Sequence, residues 1–295
     1  MASIRVPSLR KVKYAGSWYS DNPKLLNSTI EKALDEATLN SLAPFEKELK
    51  MAVLPHAGLH FSSRGLAHLL LNAPEKLEQV LIIAPSHNYV MSENTLAFGH
   101  YSGYETPIGN LGSFKIELAN KKPDATLAID VEHAIEMILP FLAYIQNKSS
   151  NEIKVATALI SQVTNKSALK KIGDELLENL DFEKTFFIAS SDFTHYGSRF
   201  SHTPFGSRVD KKVIEKVKES DLEIANYLAE GDLEKLFQIK GERQLTICGI
   251  AGSLILSYLA NLNQLKGVVL DYYTSLEVEH SVANDFVAYA TVGWR

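Results

Sequence analysis

Apolar runs and polar gaps alternate along this chain in a pattern that predicts buried strands separated by helices. "KMAVLPHAG" is a short apolar run closed by Pro55, and "EQVLIIAPSHN", "EIKVATALIS" and "KTFFIASSD" repeat the theme. Short runs without regular polar alternation predict strands covered on both faces, as in a parallel sheet. Between them, "SSRGLAHLLLNA", "EHAIEMILPFLAYIQ" and "KSALKKIGDELLENL" carry apolar residues at helical spacing. Ser62 or Ser63 is placed to cap the first of these. "NTLAFGHYSGYETPIGNLG", rich in Gly and aromatic residues, reads as an excursion at the sheet edge. Three helical segments are expected between roughly Asp210 and Lys240. "TICGIAGSLILSYLANL" predicts a buried helix rich in small residues, and "KGVVLDYYTS" and "DFVAYATVGW" predict late strands. The sum is an α/β protein with a central mostly parallel sheet flanked by helices. The most loop-like stretch, "QNKSSNE" at 146–152, is too short to separate two domains.

Charge and composition narrow the function classes. The 295 residues carry a net charge of −5, and no basic cluster exceeds two or three residues, so a nucleic-acid footprint is missing. No apolar run approaches the ~18 residues of a membrane span. The first residues, "MASIRVPSLRKVKYAGSWY", show neither an apolar core nor a cleavage site of a secretory signal. The single cysteine, Cys248, rules out an internal disulfide, and a cytoplasmic location is the expectation.

Chemistry-bearing residues fall at one repeated place. Three of the buried strands end in titratable side chains: the first at His56 in "VLPHAG", the second at His87 in "IIAPSHN", the fourth at Asp192 and His195 in "SSDFTHYG". In an open parallel sheet, ligands bind outside the carboxyl ends of the strands, so these residues can converge although they are far apart in sequence. Taken singly, each histidine is as well explained as a loop residue. Asp192, Ser190 or Ser191 could cap the following turn; alternatively, Asp192 acts as a base or orients an imidazole through its other nitrogen. Cys248 is either a small buried hydrophobe or, at the predicted start of a helix, a thiolate favoured by the helix dipole. A thiolate with neutral imidazoles would bind Zn, Fe or Cu; a Cys–His nucleophile is the other chemistry open to it. Glu132, His133 and Glu136 in "VEHAIEM" read as a helix start with acids set against the dipole. His60, His68, His100, His202 and His280 are expected at the surface or in loops.

"AGSWY", "LPHAG", "APSHN", "EHAIEM", "SSDFTHYG" and "TICG" occur in an order and spacing that resembles the Memo family, from about residue 13 to the C-terminus. That family includes the eukaryotic mediator of cell motility and the prokaryotic AmmeMemoRadiSam system protein B. It is in turn similar to LigB-like class III extradiol dioxygenases, which are non-haem iron enzymes. Leu59, Asn88, Ala134 and Ile138 stand where the family pattern more often has Tyr, His, Ser and His. The resemblance implies a single class III extradiol dioxygenase-like α/β domain over residues 1–295, with a central mostly parallel or mixed sheet. It also implies a mononuclear transition metal, iron or copper with zinc as a further choice, held by His56, His87 and Cys248. His195 would serve as a catalytic acid–base group beside it, with Asp192 as its acidic companion. The functions it implies are a metal-dependent oxidoreductase or, alternatively, a non-enzymatic adaptor whose pocket takes a small-molecule, peptide or phosphopeptide ligand. A metal-free Cys–His hydrolase is the third reading. Radical-SAM and AMMECR-type proteins are the partners that the family context implies.

Overall fold

The four apolar runs lie side by side as parallel strands in the middle of one mixed sheet. The computed structural model describes residues 8–45, 49–116, 123–149 and 151–295; the readings above that touch residues 1–7 and Ser150 lie outside these. The chain begins with β1 (Leu9–Arg10), α1 (Pro23–Asn40), β2 (Met51–Leu54), α2 (Leu59–Asn72) and β3 (Gln79–Pro85). An edge excursion follows, with β4 (Leu96–Phe98), β5 (Gly103–Tyr104) and β6 (Leu111–Ser113), then α3 (Thr126–Asp130), α4 (His133–Glu136) and α5 (Leu139–Lys148). Next come β7 (Lys154–Ile160), α6 (Lys166–Asn179), β8 (Thr185–Ser190) and β9 (His195–Tyr196). The chain closes with α7 (Lys211–Glu230), α8 (Leu233–Glu242), α9 (Ile250–Leu262), β10 (Gly267–Thr274), α10 (Ser275–Glu279) and β11 (Phe286–Trp294).

The sheet has 11 strands in the order β1-β5-β6-β7-β3-β8-β2-β11-β10, with β4 on β7 and β9 on β11 off this path. β7, β3, β8 and β2 run parallel, while β11 joins β2 antiparallel and β10 joins β11 antiparallel. The central strands are apolar throughout because both faces are covered. Along β3, Val80, Ile82 and Ala84 enter one core with Leu26, Leu66 and Phe141, from α1, α2 and α5. Leu81 and Ile83 enter the opposite core with Leu176, Leu228 and Leu254, from α6, α7 and α9. Each fully buried Val, Leu or Ile contributes about 1.5–3 kcal/mol, which is why these runs can forgo polar alternation.

Register sets up the site. Leu54 of β2 pairs with Ser190 of β8, and Ile83 of β3 pairs with Ala189 of β8. The three strands therefore finish nearly level, and the residues that follow them emerge at one rim. Short pairings with β11 then fix the segment after β8: Phe193 N–H donates to Ala288 O (2.9 Å), Ala288 N–H donates to Thr194 O (2.9 Å), and His195 pairs with Val287.

Several local expectations need correction. α2 starts at Leu59 with Gly58 as its cap and no side-chain cap bond; Ser62 instead donates to Ala57 O (2.6 Å) from inside the first turn. The stretch 210–240 holds two helices, not three. It breaks at Gly231, whose φ of 73° closes α7, and Asp232 opens α8 by accepting from Lys235 N–H. No helix follows Ser190–Asp192, so none of them caps one; the chain goes on to β9. His68 is buried in α2, not at the surface. Its Nε2 lies 3.3 Å from the Asp271 carboxylate, which Arg64 also grips at 2.6 and 2.9 Å. α2 is covered by the sheet below and α1 beside it, so a histidine on its inner face needs a buried partner.

Candidate metal centre

Three imidazoles meet at the rim where β2, β3 and β8 end: His56, His87 and His133. One ligand atom from each lies within 4.8 Å of the others. Their ring centroids are 5.2 Å apart for His56–His87, 5.5 Å for His56–His133 and 4.4 Å for His87–His133. Whether the set suits a metal ion rests on how each ring is held.

His56 is fully buried, and its Nδ1 is 2.8 Å from the Ser190 hydroxyl. That hydroxyl donates its own hydrogen to Ala134 O at 2.6 Å, so it accepts from His56 Nδ1–H. The Nε2 of His56 is thereby left as a lone pair facing the cluster. His87 Nδ1 is 2.8 Å from Glu132 Oε1, and its backbone N–H donates to Glu132 Oε2 at 2.8 Å. The same carboxylate accepts from Ala134 N–H (3.1 Å) and lies 3.3 Å from His133 Nδ1. Glu132 is thus the cap of α4, the acceptor for the His87 ring and a close neighbour of the His133 ring. Carboxylates and hydroxyls behind metal-binding histidines fix the tautomer and aim the other nitrogen at the ion.

Electrostatics agree with neutral rings at His56 and His133. Burial, with the neighbouring His87 and His133, holds His56 well below the ordinary histidine range. Burial and His87 lower His133 as well. Burial alone would push Glu132 up, but its bonds to His87 and the attraction between them outweigh that, and its carboxyl sits below the usual range. Neutral imidazoles backed by an ionised carboxylate are the protonation states that coordination needs.

The residues expected from the strand ends take defined places. Cys248 Sγ is 3.1 Å from His56 Nε2 and 3.6 Å from Asp192 O. It sits one residue before Gly249, the cap of α9, and Gly249 N–H donates to the Ser191 hydroxyl at 3.1 Å. A Cβ on Gly249 would strike Ser190 O and Ser191, so only glycine lets α9 start this close to the end of β8. The dipole was expected to favour a thiolate here. Burial, reinforced by the Asp192 charge, instead pushes the thiol well up.

Asp192 makes no bond to an imidazole. Its Oδ1 accepts from the backbone N–H of His56 (2.7 Å) and Ala57 (3.3 Å), so it fixes the turn that carries His56. Burial raises its pKa, against the pull of the His56 N–H and the His195 charge. His195 Nδ1 faces two carbonyls, Phe193 O at 3.0 Å and Thr246 O at 2.9 Å, so it carries a hydrogen and Nε2 is the free nitrogen. His195 and Asp192 line a cavity of about 610 Å³ together with His56, His87, His133 and Trp18. Trp18 packs on His133 with ring centroids 4.5 Å apart.

Strand-end logic reaches His56 and His87 but not His133, which enters from α4, outside the sheet. The signal present in the sequence is the acid–imidazole pair Glu132–His133 ahead of an apolar helix; reading it as a cap is correct for Glu132 and incomplete for His133. The excursion that delivers α4 is anchored by a buried ion pair, Arg10 Nη1 to Glu136 Oε2 at 2.8 Å. The Glu136 carboxylate also accepts from Tyr14 N–H (2.8 Å), Tyr19 OH (2.9 Å) and Lys13 N–H (3.0 Å).

Comparison with known proteins gives a consistent result. The family described as Memo-like protein matches residues 10–293. A Caenorhabditis elegans protein memo-1 homolog is 28% identical over 96% of this chain and 81% of its own length. A MEMO1 family protein of Thermococcus onnurineus is 27% identical over 99% of each chain. One from Saccharomyces cerevisiae is 28% identical over 67% of this chain and 62% of its own. With the rim histidines, the acid–imidazole pair and a family match over nearly the whole length, this chain belongs to the Memo family.

Proposed function

We propose that this protein binds a single transition-metal ion at His56, His87 and His133 and uses it for dioxygenase-like oxidoreductase chemistry. The observation that carries the reading is the three-imidazole group itself, with the Nδ1 of His56 and of His87 already engaged and His133 beside the same carboxylate. Iron and copper suit such a donor set, and zinc would fit it too. A bound ion would supply Lewis-acid or redox chemistry at a position left open to the cavity. The protein's own groups do the rest. Glu132 and Ser190 aim the imidazoles, Asp192 fixes the His56 turn, and Trp18 walls one side. His195, with its Nδ1 hydrogen committed to carbonyls, offers Nε2 to take or give a proton at a ligand in the cavity.

A second reading of the donor set has its own observation. Cys248 Sγ lies 3.1 Å from His56 Nε2, a separation that two ligands of one ion can share, so a His56–His87–Cys248 site competes with the three-histidine one. Metal analysis after anaerobic loading with Fe(II) or Cu(I) tests both. About one ion per chain is expected for the native protein, and a tenth or less for His56→Ala and His87→Ala. Loss in His133→Ala with retention in Cys248→Ala supports the three-histidine site, and the reverse supports the cysteine. A native protein that takes up no metal would overturn the proposal.

A further inference from the structure

A second cavity, of about 660 Å³, shares His87 with the His195 cavity and is also lined by Cys248. Its walls come from the loop after β3, the residues after β7 and the α8–α9 connection. Apolar side chains line much of it, among them Met91, Val163, Leu245 and Ile250. Its charged lining is one-sided. Lys240 and Arg243 are present, and among the described residues no carboxylate lines it. The His195 cavity differs, because Arg199 shares its lining with Asp192, Glu279 and Asp285. Arg243 is already paired with Glu223 at 2.7 Å. Lys240, in the last turn of α8, has no ion pair among the described residues, which leaves one uncompensated positive charge on the wall.

We propose that this cavity takes a small organic anion. The charged end sits at Lys240, the apolar body lies along Val163, Leu245 and Ile250, and the far end is presented to His87 and Cys248. The inference rests on the metal-centre reading only for what that far end would meet. One free cation and an apolar wall recognise a carboxylate on a hydrocarbon body; a phosphate monoester, with more charge, is the competing source of the same anionic chemistry.

Methyl NMR of the full chain, titrated with hexanoate, hexanamide and hexyl phosphate, tests this. Hexanoate is expected to shift the methyls of Met91, Val163, Leu245 and Ile250 and to bind at least tenfold more tightly than hexanamide. Lys240→Gln should weaken hexanoate roughly fivefold and leave hexanamide unchanged, as expected for one partly exposed ion pair. Tighter binding of hexyl phosphate than hexanoate would support the anion site and assign it to phosphate esters. Equal affinity for acid and amide, shifts confined to Leu276 and Val287 of the other cavity, an unaltered hexanoate affinity in Lys240→Gln, or no binding would each overturn the proposal. Metal content measured on the same samples separates the two readings. Native protein that holds metal but not hexanoate contradicts the anion site alone, and the converse contradicts the metal centre alone.

Discussion

At the scale of single residues, the site is organised by groups behind the ligands. Glu132 spends one carboxylate on the His87 ring, the His87 backbone and the Ala134 N–H that starts α4, so its loss should disturb two imidazoles at once. Glu132→Ala is expected to lower metal affinity 10–100-fold, measured by competition with a coloured chelator, with the fold intact by circular dichroism. An unchanged affinity would mean that Glu132 only caps the helix. His56 and His87 were legible from sequence because each follows an apolar strand directly. His133 was not, because its place depends on a pairing between α4 and the rim that no local pattern encodes. Asp192 was legible as a site residue but not in its role: which atoms a carboxylate bonds is decided by how the turn after β2 folds over it.

At the scale of elements, the segment from β1 to α1 acts as a strap across the excursion that carries α4. Arg10 is fully buried, ion-paired to Glu136, and also donates to Ile129 O and Glu132 O at 3.1 Å each. Removing one partner strands the other charge in a dry interior, where the cost is about 3–5 kcal/mol. Glu136→Ala is therefore expected to lower the stability read from urea unfolding by about that amount. The paired change Arg10→Met with Glu136→Leu should recover only the part of the loss due to the orphan charge, because Lys13 N–H, Tyr14 N–H and Tyr19 OH lose their acceptor in both variants. Loss of metal affinity that follows Glu136→Ala and returns in the double variant would tie the strap to His133 placement. The sequence patterns were sufficient for the central strands and for most of the helices flanking them, where periodicity speaks. They failed at α2 and at the α7–α8 break, where a glycine sets the boundary.

At the scale of the whole molecule, pH dependence carries opposing contributions. Asp221 is buried, accepts from Thr194 and Tyr272 hydroxyls at 2.6 and 3.0 Å, and burial pushes its pKa from 3.8 to about 7 despite them. Its folded value lies above its unfolded one, so its contribution is complete below about pH 4 and is lost as pH rises through about 7. His56 has the opposite sign: its folded value lies below 6.5, so stability is lost as pH falls below that value. Asp221→Asn removes the first term, so its stability relative to the native chain should rise by about 4 kcal/mol between pH 4 and pH 8, an order-of-magnitude figure read from urea unfolding at each pH. A flat difference would show that Asp221 is ionised throughout. The overall α/β layout, with a parallel centre, followed from the apolar runs; the antiparallel pairing of the late strands and the joining of three imidazoles did not, the latter because His133 comes from α4, outside the sheet. The most direct test is anomalous scattering at the iron, copper and zinc edges from crystals of protein purified and loaded without oxygen. One peak within coordination distance of His56, His87 and His133 is the result expected. A density map with no peak there, or with its metal bound at another place, would contradict the central claim.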